Sequence, residues 1–289
     1  MYRVAILGCE NSHANAFIEC VLVKKEVTDV EIVGVYSEEP EAAAKLHEKY
    51  GVAVASSCDA FVGQVDGIII TARNGKNHYP YALPYVQSGI VMFIDKPITN
   101  SEEDALALMR LLKASGNRFA GGSCLKYPQE IRDLAQVVAS GSHGRIFGGF
   151  LRAPMDIESP YGGFYFYAQH LVQAMCVIFG NTPRSVIACR NGDVVTVTVR
   201  YASYDVTLEF VNKNYNYFAY VSTEKEILGS SVAVSPCIPV EVRSFYDLLR
   251  GGEQEESYAD FIAPVFIMNA ILRSLESGRE EPVREIGEI

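Results

Sequence analysis

The sequence predicts two units of different class, a doubly wound α/β parallel sheet followed by an α+β unit with a mainly antiparallel open sheet. Three observations carry this. Through residue 122, short apolar strands alternate strictly with helical stretches, which implies parallel pairing with right-handed crossovers. Beyond Gly122-Ser123 several strands alternate apolar with polar residues, as in Val195, Val197 and Val199 against Thr196, Thr198 and Arg200. That is the pattern of a sheet with one wetter face. No repeat or low-complexity tract crosses the junction, so the chain is read as residues 1–122 and 123–289.

Each element has its own signal. Residues 4–7 are a short apolar strand, and Gly8 turns the chain into a helix over about 13–27. The next strand is 31–36. Pro40 suits the first helical position, and Gly51 stops that helix after Tyr50. Residues 67–71 are continuously apolar, like strands that parallel sheets bury on both faces. A helix over 79–89 leads to a strand at 91–94. Thr99 with Glu102 has the form of a capping box for a helix to Ala114, and 118–121 make a fifth strand. In the second unit a helix opens at Tyr127-Pro128 and runs to Ser140. Strands are expected at 145–153, 185–190, 194–201, 205–211 and 217–223, with helices at 169–179 and 258–276.

Composition narrows the function. A chain of 289 residues with 49% hydrophobic and 21% charged residues is globular in character. Its net charge of −10 argues against a nucleic-acid partner. The seven cysteines are scattered without a C-x-x-C pair and read as reduced thiols. The chain opens directly into a strand, and no apolar run approaches about 18 residues. A cytoplasmic location without a membrane partner is therefore the expectation.

The chemistry-bearing residues lie where the predicted parallel strands end. After the first strand comes Gly8-Cys9-Glu10-Asn11-Ser12-His13, at the place of a dinucleotide-binding G-x-G-x-x-G. Gly8 is kept, while Glu10 and His13 replace the other two glycines. A carboxylate within about 5 Å of a phosphate costs about 1 kcal/mol or more, so a decayed or repurposed loop is the alternative. Ser37, followed by Glu38, stands where an acidic ribose ligand is usual. No cation there could hold a 2′-phosphate, which tilts the choice toward NAD over NADP. Thr71, Ala72, Asn74 and His78 follow the third strand. The fourth stops at Asp95-Lys96-Pro97, and Pro97 restricts Lys96 to extended geometry that aims its ammonium into the crevice. The plainer reading is a strand that runs out with a solvated lysine. Tyr161, Phe164, Tyr165, Phe166 and Tyr167 form an aromatic run that suits core or crevice lining. Glu10, His13, His78 and His170 are too far apart in sequence to suggest a metal, and no metal site is expected.

Taken together these residues resemble the glucose–fructose oxidoreductase/inositol dehydrogenase/MocA family. The resemblance rests on Ser37-Glu38-Glu39-Pro40-Glu41, Glu48-Lys49-Tyr50-Gly51-Val52, Asp66–Thr71 with Asn77-His78, Asp95-Lys96-Pro97 in place of Glu-Lys-Pro, Lys126-Tyr127-Pro128, Gly162-Gly163 before His170, and Arg273–Arg279 with Pro282-Val283. It implies a Rossmann domain whose cofactor site comprises Gly8, Glu10, Asn11, Ser12, His13, Ser37, Glu38, Thr71, Ala72, Asn74, His78, Asp95 and Lys96. It implies that Lys96 binds a substrate hydroxyl and the nicotinamide ribose, and that His170 is the acid/base of an Asp-x-x-x-His element. Phe166 stands at the aspartate position and Gln173 three residues after the histidine. Without that carboxylate His170 acts alone or with Tyr165 or Tyr167, and Lys126 joins them as a substrate residue. For His170 the structural alternative is a helix histidine packed beneath the sheet. The expected function is NAD(P)-dependent hydride transfer to or from a sugar-like or polyol molecule, in a homodimer or homotetramer paired through the second sheet. Two alternatives stay open: a non-catalytic nucleotide- or metabolite-binding protein, favoured by Glu10 and Phe166, and an NAD-assisted lyase or glycosidase.

Overall fold

The computed structural model describes residues 1–87, 89–235 and 237–289. Five parallel strands, β1 (Tyr2–Leu7), β2 (Val30–Tyr36), β3 (Gly67–Ile70), β4 (Val91–Asp95) and β5 (Phe119–Gly122), lie in the order β2-β1-β3-β4-β5. The order reverses between β1 and β3, which opens a crevice at the carboxyl ends of the strands. Every residue of β3 and β4 is buried, which is why both segments are apolar up to Asp95 at the end of β4.

Helices α1 (Ser12–Ile18), α2 (Pro40–Tyr50), α3 (His78–Val86) and α4 (Glu102–Ser115) connect these strands. Helix α1 continues through a π-helical turn, Glu19–Val23, and stops short of the predicted Val27. Lys25 there has φ 53°, a left-handed conformation that no helix continues. Helix α4 is capped by Ser101, whose side chain accepts from the Asp104 N–H. Thr99, the predicted cap, instead donates to the Ser101 carbonyl. Ser101 wins because it stands three residues before Asp104, at the spacing an N-cap needs.

The second unit holds α5 (Gln129–Ser140), β6 (Ile146–Met155), α6 (Tyr165–Phe179), β7 (Ser185–Asn191), β8 (Val194–Arg200), β9 (Asp205–Asn212), β10 (Phe218–Thr223), β11 (Ile227–Ser231), α7 (Cys237–Leu249), α8 (Tyr258–Ser277) and β12 (Glu281–Pro282). Its sheet runs β11-β10-β6-β9-β8-β7-β12. Only β6 and β9 pair in parallel; the other pairs are antiparallel. Helix α6 begins a turn before the predicted Gln169 because Tyr165 and Ala168 join its buried face.

Two C-terminal helices return to the first sheet. The unpredicted α7 buries Val242, Phe245, Tyr246, Leu248 and Leu249 in one cluster with Phe17 and Phe93. Helix α8 gives Phe261, Ile262, Val265 and Phe266 to the first sheet's other cluster, and Ile267, Met268, Ala270 and Ile271 to the core of the second unit. A helix wedged between two cores has to be apolar nearly all round. Among the described residues it is the one helix long and apolar enough to cross a membrane, yet 61% of that apolar window is buried inside the protein. Its apolar surface thus goes into the core. The junction at residue 122 therefore separates the sheets, while α7 adds to the first core and α8 joins the two.

Candidate active site

The first βα turn packs tightly. Gly8 has φ +77°, and a Cβ there would come within 2.3 Å of the Ala72 backbone nitrogen. Glycine is thus required by the exit of β3 alone. Glu10 reaches across the crevice mouth, its Oε2 accepting from the Ser37 hydroxyl at 2.6 Å and its Oε1 from the Arg73 N–H at 2.9 Å. Its carboxylate therefore stands beside the end of β2, where sequence reasoning sought an acid at Ser37. Two nearby predicted residues hold local structure: Glu38 accepts from Asn77, and the Asn74 side chain accepts from the Lys76 N–H and from Asn100. Arg73 donates to the Tyr161 hydroxyl at 2.8 Å, which ties the aromatic loop of the second unit over the crevice.

Lys96 directly follows β4 and is 5% exposed. Its peptide bond to Pro97 is cis. Its ammonium donates to the Phe166 carbonyl at 3.1 Å and lies 4.4 Å from the Phe166 ring centroid and 5.5 Å from that of Tyr167. Among the described residues it forms no ion pair. Burial holds this ammonium below its ordinary pKa, although the nearby Asp95 charge opposes that. The position where a carboxylate was sought, Phe166, thus supplies a carbonyl and a ring face to Lys96 instead.

His170, on α6, is 8% exposed. Its Nδ1 lies 2.6 Å from the Ser123 hydroxyl, which also accepts from the Leu125 N–H. Burial first, and then the Lys96 charge, hold the imidazole well below 6.5, so the ring is neutral. Sequence reasoning missed Ser123. Its position just after β5, at the carboxyl edge where the crevice lies, was the available signal.

Other predicted residues are placed elsewhere or already engaged. His78 has no exposed surface, and its Nε2 lies 2.8 Å from the Ala72 carbonyl, so it braces the β3 exit from inside the protein. Thr71 is likewise fully buried and donates to the Gly8 carbonyl, and Ala72 is fully buried. Lys126 pairs with Glu256 at 2.5 Å and with Glu255 at 3.8 Å. It is an ion-pair lysine rather than one free for substrate. Tyr165 sends its hydroxyl into α8, to the Val265 carbonyl and Asn269. Its neighbour Tyr167 stays near the site, with its ring centroid 5.9 Å from that of His170.

Behind the lysine lies a charged cluster. Asp95 has no exposure and accepts from Asn11 and from the Lys96 N–H. His13 Nδ1 lies 3.0 Å from Asp95 Oδ2 and 3.6 Å from Glu241 Oε2. Burial lowers the His13 pKa, but the Asp95 and Glu241 charges outweigh it and raise the ring to about 9. Burial pushes the Glu241 carboxyl up to about 7. Ser12 makes a long contact, 3.4 Å, with the capping Asn11. Glu241 was invisible in the sequence because it is one charge inside the unpredicted α7.

A parallel sheet with a crevice at its switch point is the arrangement in which open α/β sheets bind nucleotides. Residues 2–123 match the model of the oxidoreductase family with NAD-binding Rossmann fold named for glucose–fructose oxidoreductase, inositol dehydrogenase and MocA. The match spans the whole parallel-sheet unit, where the sequence shows its resemblance to that family. It is similar to inositol 2-dehydrogenase 3 of Saccharopolyspora erythraea, 27% identical over 121 residues, 41% of this chain. The chain spans 36% of that relative's length and 52% of a second, an uncharacterized oxidoreductase of Streptococcus pneumoniae. Among solved structures, myo-inositol 2-dehydrogenase of Lactobacillus plantarum has a TM-score of 0.84 at 15% identity, covering 98% of this chain and 99% of that one. The WlbA dehydrogenase of Bordetella pertussis, in complex with NADH and UDP-GlcNAcA, has 0.82 at 17%, covering 99% of each. These likenesses show the same fold across both units.

Proposed function

We propose that this chain is an NAD-dependent oxidoreductase acting on a hydroxyl of a polyhydroxylated, sugar-like small molecule. One observation carries the reading: a buried lysine, with no ion pair among the described residues, lies near a neutral histidine fixed by a serine, at the carboxyl edge of a parallel sheet. The family's NAD fits this crevice through the turn at Gly8, with Glu10 and Ser37 for the ribose hydroxyls. A carboxylate accepts from a diol and repels a 2′-phosphate, so Glu10 favours NAD over NADP. Bound there, the cofactor supplies the hydride acceptor or donor. The Lys96 ammonium polarises the substrate oxygen. With its Nδ1–H donating to Ser123 Oγ, His170 leaves Nε2 to take the hydroxyl proton. Ser123 thereby stands in for the carboxylate that Phe166 lacks.

The test is a polyol and sugar panel with NAD, followed by the absorbance of reduced nicotinamide, in wild type and His170→Ala. Turnover that vanishes in the variant supports the reading, and turnover that survives unchanged removes His170 from it. The second reading, a metabolite-binding protein without turnover, draws on the engagement of Glu10 with Ser37 and Arg73 across the mouth. Absence of both turnover and NAD binding by calorimetry selects it.

The outer face of the second sheet supports pairing with a second copy. Phe150 stacks on Tyr220 there with centroids 5.8 Å apart, and Phe218 in the same register is exposed. Tyr220→Glu should halve the mass seen by light scattering, and a wild type that is already monomeric ends this part of the proposal.

A further inference from the structure

Three elements distant in sequence bring metal-ligating atoms to one point beneath the crevice. His13 comes from α1, Cys124 from the turn after β5, and Glu241 from α7. One ligand atom from each lies within 4.8 Å of the others, and all three residues are buried. Glu241 has no exposed surface, and neither of its carboxylate oxygens receives a hydrogen bond. His13 Nδ1 is also without an aligned hydrogen bond, although Asp95 Oδ2 lies 3.0 Å away. Buried carboxylates and ring nitrogens are normally satisfied. The two lie 3.6 Å apart, close enough for one cation, in place of the imidazole proton, to satisfy both.

We propose that His13, Cys124 and Glu241 form a binding site for a zinc-class divalent ion. The donor set selects the metal. Thiolate with imidazole favours zinc and its soft or borderline neighbours, whereas magnesium and calcium take oxygen ligands. At metal–ligand bonds of about 2.0–2.3 Å, tetrahedral ligand atoms lie roughly 3.3–3.7 Å apart, and the 3.6 Å between His13 Nδ1 and Glu241 Oε2 is such an edge. Asp95 Oδ2 lies 3.0 Å from the same ring nitrogen and adds to the negative field that attracts a cation there. The charges also balance, since the dication and the Lys96 ammonium offset the thiolate and two carboxylates. On binding, the ion displaces the protons of Cys124 and His13. It ties the first βα turn and the turn after β5 to α7, which packs on them.

The test uses cobalt(II) and zinc(II) alone on chelator-treated full-length protein. Wild type should take up one cobalt per chain, with a thiolate-to-cobalt charge-transfer band and intense tetrahedral d–d bands, and zinc should bleach both. Cys124→Ser should lose the charge-transfer band and Glu241→Gln should weaken binding at least tenfold, while Cys189→Ser, at an exposed cysteine, retains the wild-type spectrum. Zinc should also raise the melting temperature of wild type and not of Glu241→Gln. Absence of the charge-transfer band in wild type overturns the proposal whether or not the variants fold, and so does its full retention in Cys124→Ser. No readout involves NAD or turnover, so failure here is separate from failure of the oxidoreductase reading.

Discussion

Lys96 and Lys126 both follow strands of the same parallel sheet, and both are nearly buried, at 5% and 7% exposure. They differ in what surrounds the ammonium. Lys126 meets the Glu256 carboxylate, which outweighs burial and raises its pKa. Lys96 meets a carbonyl and two aromatic faces, and burial lowers its pKa. A buried lysine with a carboxylate is already satisfied and stabilises the fold. One without is held at a cost to stability and is available to a substrate oxygen.

The comparison breaks first at Lys96. Lys96→Met should lower hydride transfer about a hundred- to a thousandfold, the scale of a lost electrostatic donor in an active site. Its melting temperature should hold or rise. An ammonium whose folded pKa lies below its ordinary 10.5 costs stability at neutral pH, and that cost disappears with the methionine. A large fall in melting temperature would show Lys96 to be structural.

Lys126→Met should do the reverse. We expect a loss of about 2 kcal/mol in urea unfolding, less than for a fully buried pair because the partner keeps some solvent. The Glu256 side chain is 20% exposed. Unchanged stability with lost turnover would exchange the roles of the two lysines.

Ser123→Ala sharpens the comparison on the histidine side. As a positioning residue, Ser123 should affect kcat about tenfold with KM little changed, and the acid limb of the pH profile should move. An equal effect on kcat and stability, with an unmoved profile, would mean that Ser123 only caps the turn at Leu125.

The smallest expected effect is in the pH dependence of stability. The folded chain keeps His170 neutral well below 6.5, whereas the unfolded chain protonates it near that value. The unfolded state therefore binds more protons in this window, and stability should fall as the pH drops below 6.5. Melting curves of His170→Asn should fall less steeply over the same range, and identical slopes would place the ring in solvent.

The parallel unit was legible because buried strands need continuous apolar runs and helices need caps, both local properties of the chain. Pro40 and Gly51 bounded α2 as read, and the apolar run before Asp95 marked the strand that Lys96 follows. The second unit's strands were legible from alternation. Helix α7 was not, because its apolar face answers to Phe17 and Phe93 at the other end of the chain. The same long-range packing hid Glu241, whose placement depends on a helix that no local signal announced.

By itself, then, the sequence determined the strand order's raw material, the lysine at the end of β4 and a histidine on α6. Tertiary structure decided their partners. Residues 70 or more positions apart meet only after the two sheets close: Lys96 with the Phe166 carbonyl, Arg73 with Tyr161, Lys126 with Glu256. Glu10, read as an intruder on a phosphate, is turned by the Ser37 hydroxyl and Arg73 N–H into an acceptor beside the end of β2. Periodicity reports which face a residue buries, but the charge or dipole it meets there belongs to a distant segment. For buried titratable groups that neighbour sets the protonation state.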